Sequence, residues 1–223
     1  MIDVNLKNIL LKNGACLVGF CNLGVSPIDF EPELKHAVSI AVKLSDSVLR
    51  GIIDKPTISY FQHYRAVNYK LDLLALTCVK YLEDRGFDAF PVAASQSVPQ
   101  NKYYGVFQHK TAARLSGLGY IGKNSTLITE EYGSKIRLCT VLTDMPLESD
   151  RPLITKDCGL CNACKTACPA GAIYGENFDP AFPDNELFDK EKCSYHMKTY
   201  NDVGRGSVCG LCLKVCPKNK LIR

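Results

Sequence analysis

The chain has no uninterrupted apolar stretch of the roughly 18 residues that a membrane-spanning helix requires, so no transmembrane segment is expected. Its opening residues, Met1-Ile-Asp-Val-Asn-Leu-Lys7, lack the basic-then-apolar layout and the small-residue cleavage site of a secretory leader. A cytoplasmic location is the expectation, with no membrane partner. A dense basic stripe is also missing. The net charge is +4: residues 1–150 carry 16 Lys and Arg against 15 Asp and Glu, and residues 151–223 carry 11 against 8. So mild an excess is no nucleic-acid footprint. It suits a rim that offsets anionic groups or docks an acidic electron donor. The four histidines, His36, His63, His109 and His196, show no metal-ligand spacing, and no D-x-H-x-x-G run is present to hold a corrinoid through histidine.

What remains is ordinary in bulk and unusual in one residue. A chain of 223 residues with 46% apolar and 22% charged residues buries a proper core in one domain or one and a half. Cysteine is the anomaly: there are twelve, and eight fall between Cys158 and Cys216. In a reducing compartment such clustering reads as metal ligation or redox chemistry, not as disulfide staples.

The periodicity predicts helices over residues 4–12, 45–53, 57–85 and 109–116. It predicts strands at Cys16–Phe20, His36–Leu44, Phe87–Ala94, 124–129 and 135–143. The longest helix carries Tyr60, Tyr64, Val67, Leu71, Leu74, Cys78 and Tyr81 at steps of four and three, one continuous stripe between Pro56 and Gly86. A mixed α and β domain over residues 1–150 results, with a hinge at Arg151-Pro152 into a cysteine-rich module over 151–223.

That module opens with Cys158-Gly-Leu-Cys161-Asn-Ala-Cys164-Lys-Thr-Ala-Cys168-Pro169, a C-x₂-C-x₂-C-x₃-C-P run. Three thiolates at this spacing wrap one iron–sulfur cube, and the fourth starts a helix leading to another. Cys209-Gly-Leu-Cys212-Leu-Lys-Val-Cys216-Pro217 is the same run without its first cysteine, and Cys193 stands in the gap. Symmetry assigns Cys158, Cys161, Cys164 and Cys216 to one [4Fe–4S] cluster and Cys168, Cys193, Cys209 and Cys212 to the other. Gly171-Ala172-Ile173 supplies a small apolar wall. Zinc favours two separated C-x₂-C pairs and fits less well. Cys16, Cys21, Cys78 and Cys139 stand singly in apolar segments, the setting of inert buried thiols.

Residues Gly117-Leu-Gly119-Tyr-Ile-Gly122-Lys123-Asn124-Ser125 match G-x-G-x-x-G and fall one residue short of a P-loop. Both motifs need a strand before the glycines and a helix after them, and here the order is reversed. A tight helix-to-strand turn is one reading, and a loop lining some other cofactor is the second.

This glycine segment, with Lys110-Thr-Ala-Ala-Arg114 before it and Tyr132-Gly133-Ser134 and Leu142-Thr143-Asp144-Met-Pro146-Leu147 after it, resembles the cobalamin-binding domain of epoxyqueuosine reductases. The displaced double cysteine module matches too, and reductive dehalogenases share the superfamily. The resemblance covers residues 35–220. It implies an α+β fold, a nitroreductase-like cobalamin-type domain followed by a small ferredoxin-like two-cluster module. Gly119, Tyr120, Gly122, Lys123, Asn124 and Ser125 would border the corrin.

Two departures stand out. The family's D-[ST]-x-P-x-x-E-[KR] stretch, which supplies the acid, falls in register on Tyr103, Val106 and His109. Tyr103 and Tyr104 are then the candidate proton donors, with Lys102 lowering the pKa of the first, or else they only pack. The family also continues into a helical-repeat domain that helps hold tRNA, whereas this chain stops at Arg223, so tRNA modification is not expected. Three readings follow: a cobalamin-dependent reductase of a small molecule or of a partner's corrinoid, supplied by a ferredoxin or flavodoxin; an electron carrier without cobalamin; and a tRNA-modifying enzyme cut to its core.

Overall fold

The computed structural model describes residues 2–98, 103–182, 186–203 and 208–219. Helix α1 (Val4–Lys12) starts where Asp3 accepts the Leu6 N–H at 2.9 Å, an N-cap that satisfies one orphan donor. Strands β1 (Leu17–Asn22) and β2 (His36–Lys43) pair antiparallel, Leu17 facing Ala41. After the short α2 (Asp46–Arg50), helix α3 runs from Ile58 to Glu83, entered through a Thr57 hydroxyl that takes the Tyr60 N–H at 3.0 Å. Its apolar stripe is buried at Tyr60, Val67, Leu71, Leu74, Cys78 and Tyr81. Gly86, at φ +81°, follows as a left-handed stop.

Strand β3 (Ala89–Val92) pairs antiparallel with β6 (Ile136–Thr143), and the sheet order is β1-β2-β6-β3. Between them in sequence come α4 (His109–Leu115) and a two-stranded hairpin, β4 (Tyr120–Ile121) and β5 (Leu127–Ile128). The C-terminal region holds α5 (Ala163–Thr166), α6 (Lys190–Met197) and α7 (Leu211–Lys214). Among the described residues no helix is long and apolar enough to cross a membrane.

Two compact units emerge, and neither is one continuous stretch. The first joins residues 1–43, 67–119 and 137–154; the second joins 44–66, 120–136 and 155–223. A division at residue 150, read along the chain, therefore differs from the folded one. Composition changes at Arg151, but Leu44 donates to the Lys135 carbonyl at 2.8 Å and Ser134 to the Asn219 side chain at 2.9 Å. Those bonds tie residues 44 and 134–135 into the cysteine-rich unit.

The strand expected over 124–129 is also shorter. Gly122 N–H reaches the Thr126 carbonyl at 2.9 Å, and Ser125 turns left-handed at φ 59°. A tight loop thus consumes residues 122–126 and leaves only Leu127–Ile128 extended.

In the first unit His109 sits at the start of α4. Its Nδ1 meets the Thr140 hydroxyl at 3.0 Å and its Nε2 the Ala93 carbonyl at 3.1 Å, an arrangement that a neutral ring protonated on Nε2 satisfies. Burial, helped by Arg137, pushes its pKa down to about 4. The unfolded histidine, at about 6.5, takes a proton that the folded one refuses. Stability is therefore complete above pH ~6.5 and falls as pH drops through 4, by roughly 3 kcal/mol in all. Urea titrations at pH 7.5, 6 and 5 check this: His109→Gln is expected to lose less stability than wild type over that range. Parallel losses in the two proteins would refute it.

Candidate metal centre

The cysteine-rich unit builds each thiol from a repeated local device. Cys164 lies in α5 and Cys168 two residues after its end; Cys212 lies in α7 and Cys216 two residues after its end. Each helix lasts only four residues, because the following Cys-Pro pair ends it. Gly210, at φ +79°, makes the sharp entry to α7, where an added Cβ would come within 2.7 Å of the Tyr60 ring.

Cys158, Cys161, Cys164 and Cys216 line one cavity, together with Lys123, Asn124, Ile128, Pro217 and Lys218. Electrostatic neighbours group the rest: Cys193 with Cys168 and Cys209, and Cys212 with Cys209, Cys193 and Cys168. Cys212 also senses Cys164, so the two sets adjoin. Burial raises the thiols of Cys164, Cys193, Cys209, Cys212 and Cys216, Cys193 to about 11, and neighbouring sulfurs add to the effect by mutual repulsion as thiolates. A bound cation that takes all four sulfurs of a set removes that repulsion and deprotonates them.

Among the described residues, no three or more of His, Cys, Asp and Glu gather as they would around a single metal ion. Four cysteines on one cavity, three of them from a single C-x₂-C-x₂-C run, are the donor set of a cube of iron and sulfide. The donor set therefore fits two [4Fe–4S] clusters. Ala172 and Ile173 are buried beside Cys168, whose sulfur accepts the Ala172 N–H at 3.4 Å. Outside the module, Cys21, Cys78 and Cys139 are buried, and burial pushes all three thiols up, Cys21 to about 11.

The glycine segment belongs to this unit from Tyr120 onward. Lys123 Nζ donates to Asn162 Oδ1 at 3.3 Å, and Asn124 Nδ2 to the Cys212 carbonyl at 3.4 Å. Both residues are nearly closed to solvent, at 5% and 8% exposure. Tyr120 is buried, with Cys158 among its electrostatic neighbours. Gly122 packs against Ile128, where a Cβ would meet Cγ1 at 2.8 Å. Tyr103 and Tyr104 lie in the first unit, as does Gly119. Tyr104 lines an open pocket of about 460 Å³ with Val98, Val106, Phe107 and Thr111. Lys102 lies outside the described residues.

Sequence reasoning missed the braces. The Ser134 hydroxyl donates to the Leu213 carbonyl at 3.1 Å, and the Asn219 amide donates to the same oxygen at 2.6 Å. Tyr200 meets His196 Nε2 at 2.9 Å and has Cys209 as an electrostatic neighbour. Only Tyr132-Gly133-Ser134 carried a signal, as part of the family resemblance. The remaining histidines accept or donate locally: His36 takes the Leu147 N–H at 3.2 Å and His63 the Ser45 N–H at 2.9 Å.

Residues 157–219 match the 4Fe–4S double cluster binding domain. Beyond that module the chain is similar to two kinds of reductase. It is 37% identical over 142 residues to the epoxyqueuosine reductase of Synechocystis sp., an alignment covering 56% of this chain and 46% of that protein. The chain spans less than half the length of the curated relatives it matches. In fold it follows a catabolic reductive dehalogenase solved with 3-bromo-4-hydroxybenzoic acid (TM-score 0.76, 23% identity, 96% of this chain and 31% of that one). It also follows an epoxyqueuosine reductase solved with an epoxyqueuosine-modified tRNA-Tyr stem loop (TM-score 0.60, 21% identity, 97% and 64%). At these identities the structural likeness is one of fold.

The expectation that excluded tRNA is thereby corrected. Sequence relatives are epoxyqueuosine reductases, and a structural neighbour holds a tRNA stem loop. Net charge and the position of Arg223 were its only supports. A modest basic excess does not weigh against a fold that holds tRNA elsewhere, so tRNA stands among the substrate classes of the relatives.

Proposed function

We propose that the chain is a cytoplasmic iron–sulfur oxidoreductase that carries electrons, one at a time, through two [4Fe–4S] clusters to a cobalamin bordered by Gly119, Tyr120, Gly122, Lys123, Asn124 and Ser125. The observation that carries this reading is the shared cavity: Lys123 and Asn124 line the same space as Cys158, Cys161, Cys164 and Cys216. An acceptor bordered by that loop receives electrons over a short path. Cys168, Cys193, Cys209 and Cys212 hold the second cluster, and an acidic ferredoxin- or flavodoxin-class donor supplies it.

Cobalamin, when bound, supplies a metal centre that passes electrons to an electrophilic substrate. The chain's own residues do the rest. Eight thiolates hold the clusters, Ile128 and Pro217 keep water from the first, and a nitroreductase-like frame in the β1-β2-β6-β3 sheet carries the substrate region. Tyr103 and Tyr104 are the candidate proton donors, Tyr104 in a pocket whose size falls in the range of about 300–1,000 Å³ typical of small-molecule sites. The substrate is a small electrophile or a corrinoid held by a partner.

A second reading, an electron carrier without cobalamin, is favoured by one feature. Lys123 and Asn124 spend their side chains on Asn162 and the Cys212 carbonyl, which leaves backbone and glycines to face a corrin. Anaerobic titration with cob(II)alamin separates the two. A changed cobalt EPR signal is expected; an unaltered signal in protein carrying full iron and sulfide leaves the carrier.

A further inference from the structure

Charge is distributed unevenly over the cysteine-rich unit. Residues 158–175 and 208–223 contain Lys165, Lys214, Lys218, Lys220 and Arg223 but no Asp or Glu; the carboxylates of residues 151–223 are Asp157 and those from Glu176 to Asp202. Elsewhere in the unit Lys55, Lys156, Lys190 and Lys192 each pair with a carboxylate. Among the described residues no carboxylate pairs with Lys165, Lys214 or Lys218, and all three are exposed. Helices α5 and α7 pack against one another, and each contributes one of these lysines. Lys218 lines the cavity of Cys158 and Cys161, and between those two cysteines Leu160 stands 98% exposed.

We infer that the face built by α5, α7 and the Cys158–Cys161 loop, carrying Lys165, Lys214, Lys218 and Leu160, is the docking surface for an acidic one-electron carrier of the ferredoxin or flavodoxin class. The inference rests on the two-cluster reading above. A thiolate-ligated cluster is anionic and would repel an acidic carrier; unpaired lysines over the ligating segments reverse the local sign and steer the encounter. An exposed apolar side chain beside such charges suits the contact core of a transient interface. Lys165 comes three residues before Cys168 and Lys214 two after Cys212, so a carrier seated here meets segments that ligate the second cluster, where the proposed path begins. A phosphate backbone would also meet the lysines, but a bare leucine gives it no partner. One electron leaves the carrier's iron or flavin and enters a cluster. The carrier is oxidised, the cluster is reduced, and no bond breaks.

Two measurements on the anaerobic, iron-loaded protein test this: stopped-flow reduction by acidic carriers, a ferredoxin and a flavodoxin in turn, and calorimetric binding of the oxidised carriers. The double variant Lys165→Glu, Lys214→Glu is expected to lower the bimolecular rate constant at low salt by about ten- to a hundredfold. Its decline with added salt should flatten, and binding should weaken in step. Reduction by neutral photoreduced deazaflavin should stay as in wild type. Lys12→Glu, Lys80→Glu makes the same change of net charge at exposed positions of the first unit and is expected to leave the carrier rates near wild type. Unchanged carrier rates in the face variant overturn the inference. So does an equal loss with deazaflavin, which would reduce the lysines to offsets of cluster charge. If the face variant loses iron, Lys165→Gln, Lys214→Gln decides: a smaller fall in the carrier rate supports the inference, and none overturns it. A tRNA released by these substitutions while carrier binding stays intact would assign the face to nucleic acid instead. Wild type that deazaflavin reduces and neither carrier does also overturns the inference. Wild type without iron or sulfide would fail the two-cluster reading itself, a separate outcome.

Discussion

Replacing Cys168 with alanine is expected to remove the cluster of Cys193, Cys209 and Cys212 while the other cluster survives, although Cys168 sits in the same short run as Cys158, Cys161 and Cys164. The reason is geometric. Cys168 follows α5 and lies electrostatically beside Cys193, Cys209 and Cys212, whereas Cys158, Cys161 and Cys164 share their cavity with Cys216. Iron content should fall to about half, as one of two cubes is lost. A single variant does not separate crossed from motif-local ligation, because either halves the iron. The double variant Cys168→Ala, Cys209→Ala does. Under crossed ligation both changes strike one cluster and about half the iron stays; under local ligation they strike both, and almost none stays. This is the non-additivity expected of residues acting as one unit. A nearly iron-free double variant, with each single variant at half, would sink the crossed assignment.

The ease of reading this chain varied with the range of the interaction. The α3 stripe and its Pro56 and Gly86 limits are local, so the element expected over 57–85 appears at Ile58–Glu83. Strand β6, expected over 135–143, appears at Ile136–Thr143 for the same reason. Helix α6 was not anticipated. It buries none of its residues and so shows no apolar period, and its signal is confined to the Asp189 cap on the Lys192 N–H. The interleaving of the two units left no mark in composition either. It depends on bonds such as Ser134 to Asn219, which link residues 85 positions apart.

At the candidate site the same division holds. Cysteine spacing is a local property of a loop and a four-residue helix, and it was enough to propose how the sulfurs sort. Tyr200 and His196 look like any surface pair until the fold sets Cys209 beside them. The glycine segment shows the opposite case. Its pattern was conspicuous, but the pattern did not say which way the side chains turn. Lys123 and Asn124 face the cysteine module, which a phosphate-loop reading would never have assigned.

Gly133→Ala is expected to cost about 2–5 kcal/mol and to release iron from the cluster that uses Cys216. Gly133 has φ +60°, and an added Cβ would lie 2.5 Å from the Lys218 carbonyl oxygen, 2.6 Å from its carbon and 2.7 Å from the Asn219 nitrogen. Left-handed backbone costs a non-glycine residue about 1–2 kcal/mol, and overpacking adds about 1–3 kcal/mol. The clashing atoms are backbone, so no rotamer change relieves them. Thr129 and Gly133 hold one another by two bonds of 3.0 Å, and Ser134 is fastened to Asn219 and Leu213. Relief must therefore come from the segment that carries Cys216. Gly159→Ala is the matched comparison. Gly159 is also left-handed, at φ +56°, and follows a proposed ligand, but nothing lies within 4 Å of its added Cβ. Only the conformational cost of about 1–2 kcal/mol should appear there, with iron retained. Denaturant midpoints and iron counts on both variants check the pair. Equal destabilisation would mean that residues 133 and 218 do not approach as closely as described, and the brace on Cys216 would go with it.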